Sequence, residues 1–494
     1  VDDAPAGAVL ARNVFHLVLG QVTTTILAVT FNGVLGRFLG AADFGLCFVV
    51  MSFGNFAFTF ADWGQQYYGI REVARNPHRG GELLGTGLIL RATGILLVTL
   101  PCWLATKALR YDLRTQALCV AYLVASLPLL LAQLYGIVFR GRDRMGLDAS
   151  VSVINRVFLL LLSLVALRAG LGLNGVLLAY GGAGVLALVA AAFLYRRVAT
   201  GPVRFAPSTA RELLAGGTAL AAMNLAIFVQ PYIDTVLVSK LVTAEAIGWF
   251  GAARNIMGTL FAPVSILSGA AYPRLSRAAR SPDVFRQELG TALRPILWVG
   301  ALAAVGTYLF ADLGVHIVYG HRHFGPAAAI LRVFAAGLFL FFLDGMFGIA
   351  LNAVGRAGAF SAVKIASVAV STGLDFLLIP YFQRTTGNGG IGAVVAFVGS
   401  ELVVFAGVLA ILPRRSVAMG TVLDAGRAVL AAGLTVAAFT RLQWLSPWAG
   451  VPLCIAAFSA LSVAVGLVRR ADLDRLRAIV ARKLGAALPS ETAE

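Results

Sequence analysis

Nine ionisable side chains fall deep inside apolar runs of this 494-residue chain. Arg91, Arg156, Arg254, Arg332 and Lys364 are basic; Asp234, Asp344, Asp375 and Glu401 are acidic. Charge in hydrocarbon is expensive, so residues of this kind default to a functional reading. Arg254 lies about ten residues into its run, roughly 15 Å deep. Arg91 and Arg156 lie about 10–13 Å in. A guanidinium stays charged when buried and can hold phosphate oxygens bidentately. The three arginines therefore make a candidate cationic cavity for an anionic headgroup. The competing reading is that Arg91 and Arg156 snorkel to the nearby interface. No deep acid accompanies them in the first half, since Asp62 is close to a helix end.

The acids cluster in the second half. Asp234 and Asp375 both fall toward the same end of their runs, and Ser371 and Thr372 stand close to Asp375. Carboxylates with hydroxyls make a hard-oxygen cation site, while two carboxylates alone can share a proton. Glu401 joins this candidate coupling set. The alternatives are that Asp234 simply ends its helix at the interface, or that the acids pair with Lys364 or Arg332. His321 and His323 are two apart with no further ligand near in sequence, so a solvated loop is expected there rather than a metal site.

The elements that must position these groups follow from composition. Apolar residues make up 59% and charged residues 13% of the chain, against ~45–50% and ~25% in soluble domains. A soluble core cannot absorb that excess, so the bilayer is the solvent. Each crossing needs about 20 apolar residues. Fourteen such runs are legible, the first near 14–36 and the last near 449–468, giving an all-α polytopic membrane protein. The first run is too long for a signal-peptide core and is expected to remain as helix 1. Cys47, Cys102, Cys119 and Cys454 sit singly in apolar stretches, with neither a metal spacing nor a disulfide framework.

The net charge of +17 is a matter of topology. Of 40 Lys and Arg, 26 fall on the side that includes both termini, 9 on the other and 5 within spans. That bias places both termini in the cytoplasm; the membrane expected is the inner membrane of a prokaryote. No long basic tract or base-stacking motif points to nucleic acid. In the tail, Leu473, Leu476, Val480 and Leu484 share one helical face among Arg and Lys, as in an amphipathic helix lying on the inner leaflet.

Three segment pairs repeat in the same order. Arg37–Gly45 matches Lys240–Gly248 at an offset of 203, Tyr135–Gly146 matches Phe347–Gly358 at 212, and residues 173–180 match 390–397 at 217. Helices 1–6 and 7–12 then form two copies of one bundle, residues 1–200 and 201–415. Helices 13–14 follow in 416–468, then the tail, 469–494. Six spans separate the copies, so both start on one side, the arrangement of parallel repeats that rock about a central site.

The stretches G-R-F-L-G-A-A-D-F-G (36–45), D-W-G-Q-Q-Y-Y-G-I-R-E-V-A-R (62–75), Y-I-D-T-V-L-V-S-K-L-V-T-A-E-A-I-G-W-F-G-A-A-R-N (232–255) and Y-P-R-L-S-R (272–277) resemble, in order and spacing, the polysaccharide transporter branch of the multidrug/oligosaccharidyl-lipid/polysaccharide exporter superfamily. The resemblance covers nearly the whole chain. It implies a flippase that moves a polyprenyl-pyrophosphate-linked oligosaccharide outward, with polysaccharide polymerase and assembly proteins as further partners. Arg91, Arg156 and Arg254 would then receive the pyrophosphate, a cavity hostile to cationic drugs. In the similar lipid II flippases, acids on helices 7 and 11 take part in a sodium site, which would make Na⁺ or H⁺ the coupling ion here.

No G-x-x-x-x-G-K-[ST], H-E-x-x-H or G-x-S-x-G occurs, so no ATPase, zincin or hydrolase chemistry is expected, and no cofactor. The rival class is a membrane glycosyltransferase or polymerase acting on the same lipid-linked sugars. Such an enzyme needs a sizeable outer loop with an acidic pair. The longest outer loop, around 107–114, offers only Asp112 among three basic residues.

Overall fold

A computed structural model describes residues 6–199, 201–413, 416–442 and 446–469. The described residues contain helices and turns and no strand. In chain order the helices are α1 (Ala6–Asp62), α2 (Gln65–Arg75), α3 (Gly80–Ala108), α4 (Leu113–Leu134), α5 (Gly136–Gly141), α6 (Met145–Arg168), α7 (Gly172–Tyr195) and α8 (Pro207–Leu241). Then come α9 (Ala244–Leu260), α10 (Ala262–Ala278), α11 (Pro282–Leu309), α12 (Ala311–Tyr319), α13 (His321–Phe324) and α14 (Ala327–Ala353). The last are α15 (Ala357–Thr386), α16 (Gly389–Ile411), α17 (Met419–Phe439) and α18 (Pro447–Ala464). Arg414, Arg415 and all of the proposed amphipathic tail but Arg469 lie outside the described residues.

Eleven of these helical runs are long and apolar enough to cross a membrane. The first needs a break. Its 57 residues would measure about 85 Å if straight, against ~30 Å of hydrocarbon. Gly40, at φ 74° and ψ 178°, supplies the break and divides α1 into two crossings. The helix α8 and the consecutive pair α9–α10 are long enough for two more. The architecture is thus consistent with fourteen crossings.

Local chemistry sets several ends. Asp112 caps α4, its carboxylate accepting from the Thr115 backbone N–H at 3.3 Å and from the Thr115 hydroxyl. That hydroxyl holds the Asp112 carboxyl below the usual carboxylate range. Proline opens α8, α11 and α18, where a missing N–H leaves no helical bond unmade. The polar stretch 71–79 is largely helical: α2 turns Gln65, Gly69 and Val73 inward, one helical turn apart.

By internal contacts the chain divides into two units. The first comprises Val1–Thr259, Val315–Ala327 and Val368–Ala393. Its core includes Leu83, Leu134, Ile137, Val138 and Phe139, where α3, α4 and α5 meet. Within it α1 and α9 cross at backbone contact. A Cβ on Gly45 would lie 2.8 Å from the Ala244 carbonyl oxygen, and one on Gly248 would lie 2.0 Å from the Ala41 carbonyl oxygen. Ala41 and Gly45 are the repeat counterparts of Ala244 and Gly248 at the offset of 203. The contact is therefore reciprocal, as between residues on a twofold axis.

The second unit comprises Leu260–Gly314, Ala328–Ser367 and Val394–Glu494. Here α11 packs on α17 and α18. Asp424, near the start of α17, is buried and accepts from Arg294 Nε at 3.0 Å and Arg427 Nη1 at 2.8 Å. Phe342 of α14 fills the space over Gly300 of α11.

Candidate functional site

In the first unit, α8, α9 and α15 bring three charged side chains together. Arg254 Nη1 of α9 stands 3.5 Å from Asp234 Oδ2 of α8. Asp375 of α15 sets its carboxyl against that of Asp234. Both acids are buried, whereas the Arg254 side chain is 22% exposed. One guanidinium faces two carboxyl groups, so the cluster holds one negative charge too many unless a proton or cation joins it. The pattern of unpartnered oxygens matches that arithmetic. Asp234 Oδ1 and both Asp375 oxygens have no hydrogen-bond partner among the described residues. Ser371, one turn before Asp375 on the same helical face, is buried with its hydroxyl likewise unpartnered. Thr372 is half-buried and makes no side-chain hydrogen bond among the described residues. Hard-oxygen atoms of this kind fit a small cation or a shared proton.

Arg254 is only partly engaged. Of its five N–H donors, one makes the long contact to Asp234, while its guanidinium lies 5.6 Å from the Phe250 ring centroid. Arg156 of α6 is half-buried, stands near the phenols of Tyr122 and Tyr180, and has no ion-pair partner among the described residues. Those two rings are themselves stacked edge to face at 5.3 Å. Both arginines thus keep donors available to a ligand.

Arg91 is placed differently. Its side chain is 2% exposed, forms an ion pair with Asp62 and donates to the Leu130 carbonyl at 3.4 Å. Asp62, expected near a helix end and not as a deep acid, is the residue that neutralises it. The pair clips α3 to the end of α1 and to α4. No snorkelling is needed where a carboxylate and a carbonyl already meet the charge.

Glu401 belongs to the second unit, and its partner there is Lys364. Lys364 Nζ stands 2.6 Å from Asp344 Oδ2 and 3.4 Å from Glu401 Oε1. The pairing of Glu401 with Lys364, the alternative to its grouping with Asp234 and Asp375, is present in the structure. Arg332 pairs with Asp312. His323 lies in the one-turn helix α13 and its carbonyl accepts from Trp249 Nε1 at 2.8 Å, while the His321 side chain lies outside the described residues. Among those residues no group of three His, Cys, Asp or Glu could hold a metal.

An ion network went unread in the sequence. Arg79 reaches Glu72 at 3.3 Å and Glu212 at 3.0 Å. Glu82 accepts from Thr209 at 2.5 Å and pairs with Arg204 at 2.8 Å. It ties α2 and α3 to the start of α8. Nothing local to any one segment reveals partners more than a hundred positions away.

Membrane-length helices around interior charged clusters define a multi-pass membrane protein, and its fold is a known one. It matches a structure of the lipid II flippase MurJ in an inward closed conformation, with TM-score 0.72 and 11% identity, covering 94% of this chain and 99% of that one. It also matches an inward-facing multidrug resistance MATE family transporter of the MOP superfamily, at TM-score 0.67 and 15% identity over 78% of this chain and 93% of that one. A family model described as polysaccharide biosynthesis protein covers residues 10–279, more than half of the chain. The chain belongs to that family, in the branch that the loop motifs resemble. Among curated relatives, a Shigella flexneri protein named for O-antigen transport is 21% identical over 416 residues, 79% of this chain and 94% of its own. Stage V sporulation protein B of Bacillus subtilis is 26% identical over 189 residues, 37% of this chain and 35% of its own.

Proposed function

We propose that the protein flips a polyprenyl-diphosphate-linked oligosaccharide from the inner to the outer leaflet by alternating access. The observation that carries this reading is Arg254, near mid-depth, partly exposed, and spending one long contact on Asp234. A diphosphate entering the bilayer needs charge-assisted donors to replace its water. Arg254 supplies them, with Arg156 as a second donor. Arg91, already neutralised by Asp62, holds helices in place rather than the headgroup. The name of the Shigella relative supports an oligosaccharide-bearing lipid as cargo. Cationic drugs would be repelled by the same arginines.

Coupling runs through the shared guanidinium. Phosphate at Arg254 draws positive charge from Asp234, so the Asp234–Asp375 pair then holds a proton or Na⁺ more tightly, with Ser371 and Thr372 as further oxygens. By linkage the cation strengthens headgroup binding equally. The two repeated bundles, 1–200 and 201–415, would rock about this site, with helices 13–14 and the amphipathic tail appended. Both termini would face the cytoplasm, and a polysaccharide polymerase would take up the product.

The test is outward flipping of a fluorescent polyprenyl-diphosphate oligosaccharide in proteoliposomes, wild type beside Arg254→Ala. Flipping should fall to background in the variant while the protein stays folded in the membrane. Normal flipping by the variant would overturn the assignment.

A further inference from the structure

Three amide side chains stand inside spans, and one of them, Asn255, adjoins Arg254 in sequence. Asn32 lies eight residues before the Gly40 break and Asn55 seven residues before the end of α1, each about 10–12 Å from a helix end. Asn255 follows Arg254 in α9. An amide in hydrocarbon is unfavourable unless its donors and acceptors are met. Some of theirs are: Asn255 Nδ2 donates to Asn32 Oδ1 at 3.3 Å, Asn32 Nδ2 to the Ala28 carbonyl at 3.0 Å, and the Tyr122 hydroxyl to Asn55 Oδ1 at 3.3 Å. Asn55 Nδ2 has no partner among the described residues, and Asn55 is exposed although it sits inside a span. The buried Tyr319 hydroxyl, beside Asn255, is also unpartnered among them.

These amides share one small cavity with Ser52, Phe44 and Phe48, about 100 Å³ in volume. That is room for several hydroxyl-sized groups, since about 10–15 Å³ of such space already holds one water. Amides that both donate and accept, set against aromatic faces, match the edge of a pyranose, where hydroxyls or an acetamido group project from an apolar ring. An anion alone would call for donors only, and a lipid tail for neither.

We propose that Asn32, Asn55 and Asn255 form a carbohydrate-reading subsite that takes the polar edge of the sugar bonded to the diphosphate. This rests on the function proposed above. With the diphosphate on Arg254, the first sugar lies next to Asn255, so the subsite selects glycosylated carrier over bare carrier.

The experiment compares wild type, Asn55→Ala and Asn255→Ala on two fluorescent substrates, polyprenyl diphosphate bearing its oligosaccharide and polyprenyl diphosphate alone. Each variant should slow flipping of the glycosylated lipid about five- to tenfold, the loss of one or two hydrogen bonds, and leave the bare lipid unchanged. Asn55→Gln should recover part of the rate. Equal slowing of both substrates would mean that the amides only clip helices, and no slowing would mean that they face water only; either overturns the subsite. Binding of soluble glycosyl diphosphate and inorganic diphosphate to the purified protein separates this from transport. Tighter binding of the glycosylated form, lost in Asn55→Ala, upholds the subsite even if wild type flips nothing. Equal binding of both ligands removes it.

Discussion

Arg254 Nη1 and Asp234 Oδ2 stand 3.5 Å apart, at the outer limit of a hydrogen bond, and Asp375 presses on the same carboxylate without a donor of its own among the described residues. A short bidentate pair would have closed the site on itself. The long contact leaves Arg254 to be shared and the two acids short of one positive charge.

Asp375→Asn removes the second carboxylate while keeping its shape. Wild-type flipping should depend on a Na⁺ or proton gradient, and the variant should flip at a rate indifferent to both. Rates measured in liposomes under each gradient decide it. If wild type is already indifferent to both, the pair is structural.

Arg91 and Asp62 should behave as a structural unit. Breaking a buried pair leaves an uncompensated charge, so Arg91→Met should destabilise by about 3 kcal/mol. The double variant Arg91→Met, Asp62→Asn should recover most of that loss. Thermal unfolding in detergent of wild type, Arg91→Met, Asp62→Asn and the double variant gives the coupling. Additive effects would show that the two do not act together.

The sequence disclosed the elements more fully than their partners. Membrane spans announce themselves because each is a long apolar run, and the break at Gly40 falls just past the first of them, 14–36. The helix α2 stayed hidden since its inward face, Gln65, Gly69 and Val73, has the helical spacing but almost no apolar signal. Arg254 and Asp234 were legible as charges out of place, although their meeting was not. Glu401 illustrates the limit: its pairing with Lys364 depends on how α15 and α16 face each other, which hydropathy does not encode. The amides escaped notice because a neutral polar residue in a span is common enough to pass unremarked.

The Arg79 network should be sensitive to salt. Its side chains are partly exposed, 27% for Arg79 and 43% for Glu212, so each pair contributes at most about 1 kcal/mol. Arg79→Ala should lower the unfolding temperature at low ionic strength and matter less at high salt. A loss unchanged by salt would point to packing instead.

The crossing of α1 and α9 leaves no room for a side chain. Gly248→Val should destabilise by about 1–3 kcal/mol through overpacking. Gly258→Ala in the same helix, where a Cβ would meet nothing within 4 Å, should be neutral or stabilising by up to about 1 kcal/mol. Melting curves of the two variants side by side test it.

That crossing also bears on how the chain came to be. Aligned at the offset of 203, Arg37–Gly45 and Lys240–Gly248 are identical at two positions, Ala41 with Ala244 and Gly45 with Gly248. Those are the positions at which the two backbones touch. In a pair of separate, identical halves the glycine of each would have met the alanine of the other, so one substitution would have struck the junction twice. Once the halves are joined in one chain, every other position of the segment is free to take a different trade on each side, as Asp43 and Ala246 have. The joint keeps its smallest residues in duplicate because neither partner can grow without pushing the other away.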